Sequence, residues 1–281
     1  MEANMSNLKV GLQLYSVRDK MEKDMDATLK AVKEMGYDYV EFAGYYGKSA
    51  EEVRALLDKH GLKCVSVHQK YDVFISEPEA SVQFLKTIGA EFCAIPWMGV
   101  DSHKGNPNHE KAIGEIIQTA KLLKDNGIKF LYHNHEFEFE KYEDKFLLDW
   151  LWEEVGLDNI TPEIDTCWVK YAGYDPCEYL GKFKGLIDVV HLKDFTCKRF
   201  AGGPAYALID ESGNETKKPT RDENEFKFQC VGDGLQDFPA ILKASEEAGA
   251  SYVIVEKDQW YDGDSLEHAK KSRDYLKSLG I

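Results

Sequence analysis

Short apolar runs alternate along the chain with longer stretches in which apolar positions recur every three or four residues. Runs of the first kind are typical of buried strands, and the longer period is typical of helices that pack through one face. The pattern predicts eight strands, at Val10–Tyr15, Tyr39–Phe42, Lys63–His68, Phe92–Pro96, Lys129–His133, Ile160–Asp165, Asp188–Leu192 and Tyr252–Glu256. It also predicts eight helices, at Met25–Met35, Ala50–His60, Glu77–Ile88, His109–Asn126, Phe146–Val155, Pro176–Phe183, Phe238–Ala248 and Ser265–Leu279.

Strict alternation of strands and helices points to one α/β architecture. Glycines that can end a helix follow five of the helical stretches, at Gly36, Gly61, Gly89, Gly127 and Gly249. Eight units of roughly 35 residues are typical of a (β/α)8 TIM barrel. A doubly wound open sheet would instead place a glycine-rich phosphate loop after the first strand, where residues 13–18 read Gln-Leu-Tyr-Ser-Val-Arg. The sequence therefore predicts a single TIM-barrel domain over residues 1–281.

One stretch after the seventh strand breaks this alternation. Residues 198–229 are largely polar and rich in turn-forming residues, and Ala205–Asp210 resembles one arm of a short hairpin. Loops this long are usually functional or disordered, and this one would lie at the C-terminal end of the barrel, where active sites form. We expect a loop insertion that acts as a lid over the site, with a mobile surface decoration as the alternative.

Polar side chains gather at the C-terminal ends of the predicted strands. Since residues two apart share one face of a strand, seven of the eight strands deliver polar groups to one rim: Gln13 and Tyr15, Glu41, His68, His133 and His135, Glu163 and Asp165, His191 and Lys193, and Glu256 and Asp258. The fourth strand is the exception and ends in Ile95-Pro96-Trp97. Charged groups are rarely buried without a partner, and polar residues at this end of a barrel are usually catalytic.

Strands five to eight carry the densest part of this rim. His133, Asp165, His191 and Glu256 offer two imidazoles and two carboxylates from adjacent strands. Such a mixed nitrogen and oxygen set suits Mn²⁺, Zn²⁺, Fe²⁺, Co²⁺ or Ni²⁺ better than Ca²⁺ or Mg²⁺, which prefer oxygen alone. The sequence therefore predicts a site for one divalent metal ion, with a metal-free cluster of hydrogen-bonded histidines and carboxylates as the alternative.

Charge and composition narrow the function classes. The chain has 35 Lys and Arg against 50 Asp and Glu, a formal charge of −15, which disfavours nucleic-acid binding. No apolar run is long enough to cross a bilayer, and the polar first ten residues do not resemble a secretory signal. The six cysteines form no C-x-x-C pair, so reduced thiols are expected. We expect a cytoplasmic protein that binds neither nucleic acid nor a membrane, and exposed Trp and Tyr leave room for a homodimer.

The motifs at these strand ends resemble a known family, and the resemblance covers nearly the whole chain. It is similar to the sugar phosphate isomerase/epimerase group of xylose-isomerase-like TIM barrels, which includes 3-epimerases, hydroxypyruvate isomerases, and dehydratases and isomerases of inositol metabolism. The matching segments are residues 11–19 (Gly-Leu-Gln-Leu-Tyr-Ser-Val-Arg-Asp), Tyr39-Val40-Glu41, Tyr132-His133-Asn134-His135, Ile164-Asp165-Thr166, His191-Leu192-Lys193-Asp194, Gly232-Asp233-Gly234 and Val255-Glu256.

The resemblance implies a metal held by Glu, Asp, His and Glu from strands five to eight. The last three match Asp165, His191 and Glu256, whereas His133 stands where many relatives have the first glutamate. Either His133 is the ligand, or the chain uses Glu136 or Glu138 just beyond it. The family's Asp-x-x-His motif after strand six is also altered here, so that Trp168 either stacks on a sugar or simply packs.

The implied reaction starts with removal of a proton next to a sugar carbonyl, through an enediolate that the metal stabilises. The expected catalytic groups are Glu256, Glu163, Lys193 and His135, and the expected substrate-binding groups are Gln13, Tyr15, Glu41, His68, Trp168 and Glu138. We expect a metal-dependent isomerase or epimerase of a ketose or keto-sugar. The alternatives are a lyase or dehydratase acting on a keto-glycoside or inosose, and a sugar-binding paralogue without turnover.

Three further readings remain open from the sequence. An endonuclease-like enzyme is disfavoured by the acidic charge. A Schiff-base aldolase would use Lys193 as its nucleophile. Gly232-Asp233-Gly234 precedes the seventh helix, where TIM barrels often bind phosphate through backbone N–H groups, but Asp233 would repel phosphate. An unphosphorylated sugar is slightly favoured, and a plain turn that caps the helix is an equal alternative.

Overall fold

The strands close into a parallel barrel, as the alternation predicts. The structure, a computed structural model, describes residues 7–201 and 220–281. Its barrel strands are β1 (Lys9–Gln13), β2 (Tyr39–Phe42), β3 (Lys63–His68), β4 (Phe92–Ile95), β5 (Lys129–His133), β6 (Thr161–Asp165), β7 (Val189–Leu192) and β8 (Tyr252–Val255). Each strand pairs in parallel with its neighbours, and β1 pairs with both β2 and β8, which closes the barrel. The predicted TIM barrel is confirmed.

Eight of the helices in the described residues match the predicted bounds within one or two residues, and the short helices Arg18–Met21, Tyr71–Ser76 and Thr166–Tyr171 are additional to the prediction. The eight matching helices are α1 (Met25–Glu34), α2 (Ala50–His60), α3 (Pro78–Ile88), α4 (His109–Asp125), α5 (Leu147–Val155), α6 (Pro176–Lys182), α7 (Phe238–Ala248) and α8 (Ser265–Ser278). Helix α2 shows how local residues determine both ends of a helix. At its start, the Ser49 side chain accepts from the Glu52 N–H and the Glu52 side chain accepts from the Ser49 N–H. At its end, Gly61 adopts a left-handed conformation. Over the described residues, no helix has the length and apolarity needed to span a membrane.

The core lies in two layers. The larger cluster packs the helices against the outside of the barrel and includes Leu12, Leu29, Val53 and Ile164. A smaller cluster fills the barrel interior, with Val65, Phe92, Ala94, Leu131, Val189, Tyr252 and Ile254. The interior is therefore plugged by side chains, and polar groups can gather only at its end.

The connections after β5 and β7 each contain a small antiparallel strand pair at the C-terminal end of the barrel. After β5, a two-residue hairpin joins Lys141–Tyr142 to Lys145–Phe146. After β7, Asp194–Thr196 pairs antiparallel with Lys227–Gln229, so that these strands flank the predicted loop insertion. The predicted hairpin arm Ala205–Asp210 lies outside the described residues, and the insertion and its lid role stay predictions.

Candidate active site

Four adjacent strand ends bring the predicted ligand residues together. His133 ends β5, Asp165 ends β6, His191 lies in β7 and Glu256 directly follows β8. All four side chains are buried, and one ligand atom from each lies within 4.8 Å of the others. The packing of the parallel strands therefore assembles two imidazoles and two carboxylates into a group that could hold a metal ion.

The donor atoms of this group fit a metal. Asp165 begins the short helix Thr166–Tyr171, and its Oδ1 accepts from the N–H groups of Cys167 and Trp168 at 2.8 and 3.3 Å. Its Oδ2 is buried and lies 3.0 Å from Lys193 Nζ and 3.5 Å from His133 Nε2. Burial lowers the pKa of His133 well below its usual range, and the neighbouring His191 adds to this. A neutral imidazole and a carboxylate oxygen left over by its helix cap are suitable ligands for a transition metal.

Carboxylates lie against both ring nitrogens of His191, and two of them share Nε2. Its Nδ1 lies 2.9 Å from Glu256 Oε2, whereas its Nε2 lies 2.6 Å from Glu163 Oε1 and 2.8 Å from Glu41 Oε2. Burial alone would lower the pKa of His191, but Glu41 and Glu163 raise it well above its usual range. Carboxylates on the far nitrogen of a ligating histidine orient the ring and increase its basicity.

A second possible ligand group overlaps the first: His68, His133, Glu163 and His191. His68 Nε2 lies 3.1 Å from Glu41 Oε2 and 3.4 Å from Glu163 Oε1, and Gln13 Nε2 donates to Glu41 Oε2 at 2.7 Å. Glu41, Glu163 and Gln13 are fully buried and do not line the cavity described below. Glu41 and Glu163 thus lie beneath the site against His68 and His191, and Gln13 contacts Glu41. The catalytic role predicted for Glu163 and the substrate-binding roles predicted for Gln13 and Glu41 stay predictions.

Lys193 is a buried ammonium among three carboxylates. Its Nζ lies 3.0 Å from Asp165 Oδ2, 3.0 Å from Glu256 Oε2 and 3.1 Å from Asp258 Oδ1. Burial lowers the pKa of Lys193, but the three carboxylates outweigh this and hold it well above its usual range. Burial raises the pKa of Asp258 to about 6 against the opposing effect of Lys193. A Schiff base needs a neutral amine, so this arrangement disfavours the aldolase alternative.

A cavity of about 610 Å³ opens above these groups at the C-terminal end of the barrel. Seven residues predicted at the rim line it: Tyr15, His68, His133, His135, Lys193, Glu256 and Asp258. Other residues that line the cavity were not predicted from the sequence, among them Arg18, Lys70, Trp97, Arg221 and Phe228. Trp97 lies two residues after β4 and could have been found from that position alone. Arg18 begins the short helix Arg18–Met21, Phe228 lies in the strand Lys227–Gln229, and Lys70 and Arg221 lie on loops; the sequence pattern predicts none of these placements.

Trp168 packs and leaves no face for a sugar. Its ring stacks on His135 and Phe226 at centroid distances of 5.4 and 5.5 Å, and the Arg221 guanidinium lies 4.2 Å from its centroid. The residue is fully buried and does not line the cavity. Because side chains of the protein already surround the ring, the structure favours the alternative that Trp168 packs, and its predicted sugar-stacking role stays a prediction.

Glu136 and Glu138, the alternative ligands beyond β5, both accept hydrogen bonds from other groups of the protein. Glu136 receives a two-pronged hydrogen bond from Arg221, at 2.7 and 2.8 Å. Glu138 accepts from the Tyr132 hydroxyl at 2.5 Å and from the His135 N–H at 2.6 Å. Neither residue belongs to a ligand group or lines the cavity. Glu138 fixes the loop that carries His135, and its predicted substrate contact stays a prediction.

Glu138 should make the stability of the protein depend on pH. Burial raises its pKa to about 8, against 4.5 for the free side chain, so the folded state binds this proton more tightly than the unfolded state. The contribution of Glu138 to the free energy of unfolding is fully present below pH 4.5 and is lost as the pH rises towards 8. Between pH 5.5 and 8 the wild type should lose about 3 kcal/mol that Glu138→Gln does not lose. Urea unfolding at both pH values measures this, with the exposed Glu143→Gln as control; parallel curves for wild type and Glu138→Gln would contradict it.

His135 stands over the inner part of the cavity between two rings. It stacks on Phe137 and Trp168 at centroid distances of 5.3 and 5.4 Å, and its buried Nδ1 has no hydrogen-bond partner. Burial and the Lys193 charge lower its pKa well below its usual range. A neutral imidazole with a free nitrogen, held rigidly in the cavity wall, can accept a proton from a substrate.

The turn Gly232-Asp233-Gly234 is filled by a carboxylate of the chain itself. Asp194 Oδ2 accepts from the N–H groups of Gly232 and Gly234 at 3.0 and 2.8 Å, and Oδ1 accepts from the Gln236 N–H at 3.2 Å. A Cβ on Gly234 would lie 2.3 Å from Asp194 Oδ1, so only glycine fits. The amides that could have bound a phosphate are therefore already used.

Comparison with known proteins agrees with this fold. The model of a family described as xylose isomerase-like TIM barrel matches residues 29–279. An inosose dehydratase of Geobacillus kaustophilus is 22% identical over 281 aligned positions, covering 90% of this chain and 87% of that protein. A sugar phosphate isomerase/epimerase of Parabacteroides distasonis superposes with a TM-score of 0.74 at 23% identity, over 96% of this chain and 98% of that one. The IOLI protein, whose crystal structure has a bound zinc atom, superposes with a TM-score of 0.67 at 15% identity, over 97% and 98% of the two chains.

Proposed function

The chain belongs to the xylose isomerase-like TIM barrel family, and from that premise we propose that it is a divalent-metal-dependent lyase. It would act on a cyclic keto-sugar or keto-polyol, removing a proton next to the carbonyl and expelling a leaving group from the following carbon. The observation that carries the proposal is the convergence of His133, Asp165, His191 and Glu256 beside Lys193. The inosose dehydratase relatives and the zinc-containing IOLI structure support it.

The placement of carboxylates favours elimination over epimerisation. An epimerase that works through two carboxylates removes a proton on one side of the substrate and returns one on the other. Among the described residues that line the cavity, the carboxylates are Glu256 and Asp258, both after β8 and both beside Lys193. Glu163, the partner expected for an epimerase, lies beneath the site. The lyase therefore replaces the isomerase or epimerase as the preferred reading.

The residues of the chain have distinct roles in this reaction. His133, Asp165, His191 and Glu256 would hold the metal, which supplies a Lewis acid for the carbonyl oxygen. The buried ammonium of Lys193 stabilises the negative charge that develops on the substrate oxygen. His135, across the cavity floor from β8, accepts the proton from carbon and returns it to the departing oxygen.

Substrate conversion in D₂O tests this assignment. We expect metal-loaded protein to convert an inosose to an unsaturated ketone with loss of water, seen as a new ultraviolet absorbance and a matching mass. Deuterium gain without loss of water would support an isomerase or epimerase instead. The absence of both exchange and elimination with inososes and keto-glycosides would reject the lyase.

His135→Gln should lower kcat/KM by about 10² to 10⁴, because it removes the proton acceptor. The matched control is His103→Gln: His103 also stacks on Phe137, at 5.7 Å, but does not line the cavity. The control should keep wild-type activity. Its thermal stability should equal that of His135→Gln, so that a difference in activity does not reflect a difference in folding. Equal activity of the two variants would remove His135 from the mechanism.

A further inference from the structure

Two of the four Lys and Arg residues that line the cavity have carboxylate partners within the protein. Arg221 donates to Glu136 through two nitrogens, and the Lys193 ammonium lies 3.0 to 3.1 Å from three carboxylates. The other two, Arg18 and Lys70, form no ion pair with a carboxylate of the described residues. The chain has 50 Asp and Glu against 35 Lys and Arg, so a shortage of carboxylates does not explain two unpaired cations in one cavity.

The Arg18 guanidinium is held in place by the protein. It lies 4.0 Å from the Tyr15 ring centroid and 4.6 Å from that of Trp260, and its Nη1 donates to the Tyr15 carbonyl oxygen at 2.9 Å. Aromatic rings attract a cation electrostatically and so limit its motion. A guanidinium has five N–H donors, and this is the one hydrogen bond that it makes to the described residues. The remaining donors are available to a ligand at little cost in conformational entropy.

Contacts between the segments after β1 and β8 place Arg18 on the same side of the cavity as a candidate metal ligand. The guanidinium contacts the ring of Trp260, which lies in the segment that begins with Glu256. The same two segments are joined by the Lys257 N–H, which donates to Ser16 Oγ at 3.0 Å. Arg18 and Glu256 both line the cavity. A small molecule in the cavity therefore has Arg18 and Glu256 in one wall.

The carboxylates near Arg18 pair with other groups of the protein. Asp19, the next residue, accepts from the Ser265 hydroxyl at 2.6 Å. Asp258, which lines the same cavity, lies 3.1 Å from Lys193 Nζ. The free N–H groups of Arg18 thus face a cavity in which the described carboxylates are already paired, and they match the chemistry of an incoming anion.

We propose that Arg18 binds a carboxylate of the substrate, and that the substrate is therefore a sugar acid rather than a neutral sugar. The proposal names the substrate class of the proposed lyase and rests on that function. Two N–H groups of a planar guanidinium match the two oxygens of a carboxylate, and this pair is stronger than a hydrogen bond between neutral groups. The carbonyl of the substrate would lie at His133, Asp165, His191 and Glu256, with its carboxylate at Arg18.

A carboxylate fits Arg18 better than a phosphate does. Phosphates in proteins are commonly held by several backbone N–H groups at the start of a helix. The N–H groups of Gly232 and Gly234, in the turn before α7, already donate to Asp194. A single guanidinium supplies the two parallel donors that are sufficient for a carboxylate, so the anion assigned to Arg18 is a carboxylate.

Two pairs of sugars that differ only at C6 test the proposal: D-glucuronate with D-glucose, and D-galacturonate with D-galactose. Isothermal titration calorimetry of metal-loaded protein should give a Kd about 10- to 100-fold lower for the acid in at least one pair, the gain of one charge-assisted contact. Arg18→Gln should reduce this ratio to less than about threefold. Arg18→Lys keeps the charge but not the planar pair of donors, so its ratio should fall below that of the wild type; this variant decides the test if Arg18→Gln does not fold.

Lys70→Gln is the matched control, because it also removes one unpaired positive charge from the wall of the cavity. It should change the ratio of the two Kd values less than about threefold. If it lowers the ratio as much as Arg18→Gln does, the positive charge of the whole cavity attracts the acid and Arg18 is not the binding group. An unchanged ratio in Arg18→Gln would mean that the carboxylate binds the metal or another residue, which also overturns the proposal.

Binding is measured without turnover, so the outcomes separate this proposal from the lyase function. Equal Kd values for acid and neutral sugar in both pairs would overturn the carboxylate assignment and leave a lyase of neutral keto-sugars standing. A preference for the acid that depends on Arg18 supports the assignment even if the elimination experiment in D₂O rejects the lyase. Tighter binding of D-glucose 6-phosphate than of D-glucuronate would replace the carboxylate by a phosphate and overturn the assignment.

Discussion

Replacing Asp165 by asparagine is expected to lower the affinity for Zn²⁺ or Mn²⁺ by at least about 100-fold, since even the neighbours of metal ligands usually contribute 10- to 100-fold. The amide oxygen of asparagine can still accept from the Cys167 and Trp168 N–H groups, so the helix cap is kept. Oδ2, which lies 3.0 Å from Lys193 Nζ and 3.5 Å from His133 Nε2, is replaced by an NH₂ group, which cannot ligate a metal. Competition with a chromogenic chelator measures the affinity without reference to activity.

The chain provides a closely matched control for this variant. Asp175 caps α6 through the same contacts, accepting from the N–H groups of Cys177 and Glu178, but it does not belong to either possible ligand group. Asp175→Asn should therefore bind metal like the wild type. Wild-type affinity and stoichiometry in Asp165→Asn would exclude Asp165 as a ligand and reject the proposed metal set.

Asp194→Ala should destabilise the protein by about 3–5 kcal/mol, because buried donors that lose a charged acceptor cost roughly 1–3 kcal/mol each. The fully buried Asp194 carboxylate accepts from four backbone N–H groups, those of Phe195, Gly232, Gly234 and Gln236. Its removal leaves the turn before α7 without its central acceptor. Chemical denaturation followed by circular dichroism measures the change in unfolding free energy.

Asp233→Ala is the matched control for this prediction. Asp233 lies in the same turn, is exposed and pairs with Lys271 on the surface, so its loss should cost at most about 1 kcal/mol. A similar loss of stability in both variants would show that the turn, and not the buried carboxylate, is responsible. Inorganic phosphate should stabilise neither the wild type nor Asp233→Ala, because Asp194 already occupies the backbone donors.

The position of His68 illustrates a limit of strand parity. In β3, Cys64 and Val67 pack on the outer cluster, whereas Val65 lies in the barrel interior and His68 lines the cavity. Strict alternation cannot produce this pattern, since Val65 and Val67 would then share a face. The pairing with β2 shifts register, with Val40 opposite Cys64 and Glu41 opposite Ser66. This irregularity arises from contact between two strands and so is not visible in the sequence of either.

The sequence by itself determined the barrel and which strand ends carry polar groups. Strand and helix periods, capping residues and helix-ending glycines are local properties, and the eight barrel strands and the eight helices α1 to α8 match the predicted bounds within two residues. Tertiary structure alone decided which polar groups face the cavity: Glu163 and Glu41 lie beneath it, Trp168 is covered by Arg221, and Asp194 fills the turn before α7. Lys70 and Arg221 reach the cavity from loops. Each of these placements depends on contacts between segments far apart in the chain, and sequence periodicity carries no information about such distances.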